Sequence, residues 1–132
     1  MQGYGYSIWA VPFNYNIIQN RYGMKHIPHV TLSTNHIHVP SPIGYDRKVE
    51  IKFTDKNLYR LPLGMYEYDP IVTTSTGFYC NIKGYNDTLL HMTIFYDFQG
   101  NYLDFKAPDE ILDAKIYRAD TRSLDPSEWE IF

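Results

Sequence analysis

The sequence predicts an α+β domain, mostly antiparallel sheet with two short helices. Residue usage is the first indication. Of the apolar 44%, much is aromatic (13 tyrosines, 7 phenylalanines, 2 tryptophans), while alanine appears only at positions 10, 107, 114 and 119. Aromatic and β-branched side chains suit a pleated, half-buried surface, and the shortage of alanine removes the best helix former. Alternation is the second. Lys48 to Thr54 (KVEIKFT) places Val49, Ile51 and Phe53 on one face and polar residues on the other, the pattern of a half-exposed strand. Third, turn-forming residues recur between such runs, as in Val39 to Tyr45 (VPSPIGY).

Taken in order, Gly5 to Val11 (GYSIWAV) is a strand ended by Pro12, which has no N–H for a ladder. Asn14 can cap a short helix carrying Ile17, Ile18 and Tyr22 on one side, with Gly23 as its stop. His26 to Thr34 (HIPHVTLST) is a second strand with Pro28 near its beginning. After the VPSPIGY connector and the Lys48 strand, Tyr66 and Tyr68 mark a weaker strand. Ile71 to Ile82 forms a strand pair or one strand bent around Gly77. Asn86-Asp87 turns the chain into Leu89 to Phe98 (LLHMTIFYDF), the strongest strand pattern, and Gln99-Gly100-Asn101 turns it again. Pro108 to Ala114 (PDEILDA) fits the second helix, with proline at its start and acids in its first turn. Lys115 to Arg118 is a last strand, and Asp125 to Phe132 a tail.

The 132 residues form one domain with no linker to divide it. A single cysteine, Cys80, excludes an intramolecular disulfide and suits a reducing compartment. Twelve basic and 15 acidic residues give a net charge of −3, which argues against a protein that coats many phosphates. One small phosphate ligand remains compatible with that charge. No apolar run is long enough to span a bilayer and no basic segment precedes one. The expectation is a cytoplasmic protein that binds neither membrane nor duplex nucleic acid; its oligomeric state is left open.

Two segments share one form. His29-Val30-Thr31-Leu32 and His91-Met92-Thr93-Ile94 each put a histidine and a threonine on one face of a strand and two apolar side chains on the other. Five histidines and nine threonines would yield roughly 0.3 such His-x-Thr spacings by chance, before apolar neighbours are required at all four remaining positions. Two adjacent strands of this kind surround one point with two imidazoles and two hydroxyls. That set suits a metal-free phosphodiesterase. One neutral imidazole takes a proton from water or a ribose hydroxyl, and an imidazolium donates one to the leaving oxygen. The threonines hydrogen-bond the non-bridging oxygens. Sequence leaves open which histidine is the acid.

These segments resemble the paired H-x-T-hydrophobic motifs of the 2H phosphoesterases. The order Ser7 to Pro12 (SIWAVP), short helix, Pro28-His29-Val30-Thr31-Leu32 is similar to that family's opening strand–helix–strand. The resemblance implies a two-lobed, pseudo-symmetric fold with both motifs facing a groove, no metal or other cofactor, and His29, Thr31, His91 and Thr93 as catalytic residues. It also implies action on cyclic oligonucleotides, 2′,3′-cyclic phosphates or 2′–5′ bonds. The compact chain looks most like the phage enzymes that degrade the cyclic-oligonucleotide signals of bacterial anti-phage (CBASS) immunity, with the host cytoplasm as the location. A non-catalytic sponge for a cyclic nucleotide is the binding-module alternative.

Aromatic residues are the candidates for base stacking. By analogy with the family's first strand, Tyr4 and Tyr6 border the groove, whereas Trp9 is assigned to the core. Trp129 either closes over a ligand or anchors the C-terminal tail. Lys25 and Arg118 are candidate phosphate contacts. The rival is a metal site at His26, His29, His36 and His38, but no carboxylate or cysteine lies near to complete it and His91 is left without a role.

Overall fold

A computed structural model describes residues 6–33, 47–54, 59–62, 74–85, 90–96, 107–121 and 125–131. Eight strands occur there: β1 (Tyr6–Pro12), β2 (Val30–Ser33), β3 (Lys48–Phe53), β4 (Tyr59–Pro62), β5 (Thr74–Ile82), β6 (His91–Phe95), β7 (Leu112–Asp120) and β8 (Glu130–Ile131). Helix α1 (Tyr15–Tyr22) follows β1, and a 3₁₀ turn covers Pro126–Glu128. Six strands run in the order β1-β2-β6-β5-β3-β7, and β7 pairs back to β1. Every one of these pairings is antiparallel, so the sheet closes into a six-stranded barrel. β4 lies against the first half of β5, and β8 against the end of β7.

Alternation decides which side chains fill this barrel. Ile8 and Ala10 of β1, Val30 of β2, Met92 and Ile94 of β6, Phe78, Cys80 and Ile82 of β5, Val49 and Ile51 of β3, and Leu112, Ala114 and Ile116 of β7 form one buried cluster. Ile18 and Tyr22 of α1 join it. The intervening positions Trp9, Val11 and Ala119 form a second cluster on the other face, covered by Tyr15, Ile27, Trp129 and Ile131. The sheet thus has a filled interior and, over β1 and β7, a second apolar layer outside.

Local signals account for several boundaries. Gly23 ends α1 at φ 67°, the left-handed C-cap position that glycine adopts without a Cβ penalty. Asn14 stands at the N-cap, and its carbonyl accepts from Ile17 and Ile18; its side chain makes no cap hydrogen bond. Ile17, expected beside Ile18 and Tyr22, is exposed. Within the described residues β5 is one strand, and its pairing with β6 shifts register between Thr76 and Gly77. A Cβ on Gly77 would run into the Met92 carbonyl, so the backbones approach closely only because none is present.

One predicted element is corrected. Pro108 to Ala114 is not a helix: Leu112 begins β7, and Asp109 and Glu110 form a bend before it. Leu112, Ala114 and Ile116 continue a two-residue alternation, and this segment is hydrogen-bonded on both sides, to β3 and β1. Two ladders outweigh the weak helical preference of seven residues. β4 had no counterpart in the sequence pattern. The expected features at Val39–Tyr45, Tyr66 and Tyr68, Asn86-Asp87 and Gln99–Asn101 lie outside the described residues.

Candidate functional site

Pairing between β2 and β6 centres on Val30 opposite Met92. Both are inside the barrel and fully buried. In an antiparallel ladder, directly opposed residues share a face. The flanking positions therefore set His29 beside Thr93 and Thr31 beside His91, all four on the outer face. Two neighbouring strands agree. Trp9, an outer-face residue of β1, pairs with Thr31. On β5, Gly77 opposes Thr93 and Tyr79 opposes His91. The two His-x-Thr segments are thus brought side by side.

His29 is held from several directions. Its ring stacks on Trp9, with centroids 3.6 Å apart and planes 15° apart. Trp129 meets it edge-on at 5.7 Å. Nδ1 lies 2.6 Å from the Ile27 carbonyl. A carbonyl only accepts, so Nδ1 carries the proton and Nε2 of the neutral ring keeps its lone pair. The Tyr96 hydroxyl, 3.3 Å away, donates to that lone pair. Only 4% of His29 is exposed. Burial, reinforced by repulsion from His26 and less so from His91, lowers its pKa to about 3 despite the Ile27 hydrogen bond. The ring is neutral throughout the physiological range.

His26 is the second buried imidazole. Its Nε2 donates to the Thr93 carbonyl at 2.8 Å, and its own carbonyl accepts from the Gln19 side chain at 3.0 Å. The segment leading into the first motif is thereby tied both to α1 and to the backbone of the second motif. Burial lowers the His26 pKa to about 4, opposed by the bond to Thr93. The Tyr96 ring contacts His26 at 4.6 Å, nearly perpendicular, and Trp129 at 5.1 Å.

Other candidates are placed as follows. Thr31 is half-buried and Thr93 buried. His91 is half-buried, with the Tyr79 ring edge-on at 6.4 Å. Trp129 is half-buried against Trp9, His29 and Tyr96, an intramolecular anchor for the tail at the site itself. Tyr6 opens β1, and Tyr4 lies outside the described residues. The expected faces of β1 are reversed: Ile8 and Ala10, in register with Tyr6, fill the barrel interior, whereas Trp9, assigned to the core, is buried on the face that His29 shares and stacks on its ring. Lys25 lines a pocket of about 530 Å³ together with His26, Phe95, Tyr96, Asp125 and Ser127. His36 and His38 of the rival metal set are outside the described residues. Among the described residues no group of three or more His, Cys, Asp or Glu side chains is placed to hold a metal ion.

Sequence reasoning did not assign Tyr96 to the site and gave His26 only to the metal alternative. No periodic signal marks either. Tyr96 follows the last residue of β6 at a bend, where strand alternation no longer fixes its direction. His26 finds its partner on β6, far away in sequence. Among the described residues, no helix is long and apolar enough to cross a membrane. Compared with family models, curated proteins and solved structures, the chain matches none.

Proposed function

We propose that the protein is a metal-independent phosphodiesterase of the 2H type that cleaves cyclic oligonucleotides, an activity that erases the cyclic-nucleotide signal of anti-phage (CBASS) defence. The observation that supports this reading is the Val30–Met92 pairing, which brings the two His-x-Thr segments side by side. His29 is the general base: neutral, with Nδ1–H on the Ile27 carbonyl and its Nε2 lone pair facing the Tyr96 hydroxyl. It takes the proton of the attacking ribose 2′-hydroxyl. That oxygen bonds to phosphorus and the bond to the 5′ oxygen breaks. His91, protonated, delivers its proton to the departing 5′ oxygen. Thr31 and Thr93 donate to the non-bridging oxygens as charge builds there. The product is a 2′,3′-cyclic phosphate, which water opens by the reverse use of the same pair. In this reading β2 and β6 are the counterpart strands of two pseudo-symmetric lobes, each carrying one motif.

Cyclic di- and trinucleotides, 2′,3′-cyclic AMP and 2′–5′ oligoadenylate, each incubated with the protein and analysed by chromatography, provide the test. New products that persist with a chelator and vanish in His29→Ala and His91→Ala support the assignment; normal turnover in either variant sinks it. The enclosure of His29 between Trp9 and Trp129 favours one second reading, a non-catalytic sponge. Recovery of intact ligand after denaturation identifies that case.

A further inference from the structure

Tyr96 occupies two environments at once. It lines the 530 Å³ pocket with Lys25, Phe95, Asp125 and Ser127. Its hydroxyl also reaches Nε2 of His29, which itself is not part of the pocket lining. The volume falls within the range of small-molecule sites; the Phe95 and Tyr96 rings suit a base, Lys25 a phosphate, and the Asp125 carboxylate can accept from a ribose hydroxyl. The Tyr96 phenol is thus a group shared by the pocket lining and the His29 lone pair. At 3.3 Å the O–H···N contact is long for a hydroxyl donor, so it exchanges readily for a closer one.

We infer that the Tyr96 hydroxyl is a stand-in for the attacking hydroxyl of the substrate, holding the His29 lone pair until a ribose seated in the Lys25–Tyr96 pocket displaces it. Tyr96 is then a positioning residue that competes with substrate, and removing its hydroxyl helps binding rather than harming it. The inference rests on His29 being the base of the proposed reaction.

Tyr96→Phe isolates the hydroxyl, because the ring that packs against His26 and Trp129 is retained. Losing one competing hydrogen bond should lower KM, and the Kd for a phosphorothioate cyclic dinucleotide, about threefold to tenfold with kcat kept within about twofold. In the unliganded protein, the ¹⁵N resonance of His29 Nε2 should move toward that of an unbonded imidazole nitrogen while Nδ1 stays protonated. A kcat loss of a hundredfold at constant KM overturns the inference by making Tyr96 part of the chemistry. Unchanged KM, Kd and ¹⁵N shift overturn it by leaving Tyr96 a packing residue only. If the wild type binds the dinucleotide without turning any substrate over, and Tyr96→Phe binds it more tightly, the displacement stands and the hydrolase reading falls. Failure of the dinucleotide to bind either protein overturns both.

Discussion

Acid should destabilise this protein well before its carboxylates titrate. His26 and His29 are buried and neutral, with pKa values lowered to about 4 and about 3. In the unfolded chain both return to about 6.5. The folded values lie below the unfolded ones. The neutral fold is therefore at full advantage above pH 6.5 and loses it as pH falls toward 4 and 3. Each histidine that only the unfolded state protonates costs about 1.4 kcal/mol per pH unit. Between pH 6.5 and 5 this comes to about 2 kcal/mol per ring and about 4 kcal/mol for the two. Domains of this size have about 5–15 kcal/mol in total. In urea, with a slope of about 2 kcal/mol per molar, the midpoint should fall by about 2 M between pH 7.5 and 5. Intrinsic fluorescence follows the transition, because Trp9 and Trp129 both pack on the histidine cluster. His26→Gln keeps a donor for the Thr93 carbonyl and should remove about half of the pH dependence. Equal midpoints at pH 7.5 and 5 would refute the argument that these rings are buried uncharged.

Four further outcomes follow from the same structure. His29→Ala and His91→Ala should each reduce turnover by a factor of about 10² to 10⁴, with circular dichroism confirming that the sheet persists. The acidic limb of kcat/KM reports the free protein and should lie well below pH 6.5, since burial holds the His29 base neutral there; a limb at 6.5 assigns the titration to another group. Gly77→Ala should cost several kcal/mol in a denaturant titration, because its Cβ lies 2.9 Å from both the Met92 carbonyl carbon and the Thr93 Cα, backbone atoms of the strand carrying the second motif. Cys80 is buried in the barrel and its pKa is pushed up to about 12 by desolvation, so it should resist a thiol reagent in the native protein and react once unfolded.

What sequence could disclose was whatever depends on neighbours along the chain. The alternation of β3, the helix with Gly23 at its end, and the Leu89–Phe98 pattern containing β6 were all legible because each is a local regularity. So was the chemical likeness of the His29 and His91 segments. Their adjacency was not, since it depends on a short β2–β6 pairing that local pattern does not encode. Pro108 to Ala114 misled for the same reason in reverse: its helical features are local, and the two ladders that override them come from β1 and β3. His26 and Tyr96 escaped because a buried side-chain hydrogen bond and a bend after a strand leave no periodic trace.

Closure of the barrel also bears on how the chain reaches this state. The β1–β7 seam joins the first and the last long strands, Tyr6 meeting Asp120 and Pro12 meeting Ala114. That pairing closes the largest loop available among the described strands, and loop entropy must be overcome before any of its contacts count. Folding should accordingly be slow for a domain of this length, on the millisecond-to-second scale of strand topologies rich in distant contacts. Until β7 arrives, β1 and β3 each have an unpaired edge, open to pairing with another chain. Yield on refolding should therefore fall with protein concentration, although the finished barrel has no such edge along its seam.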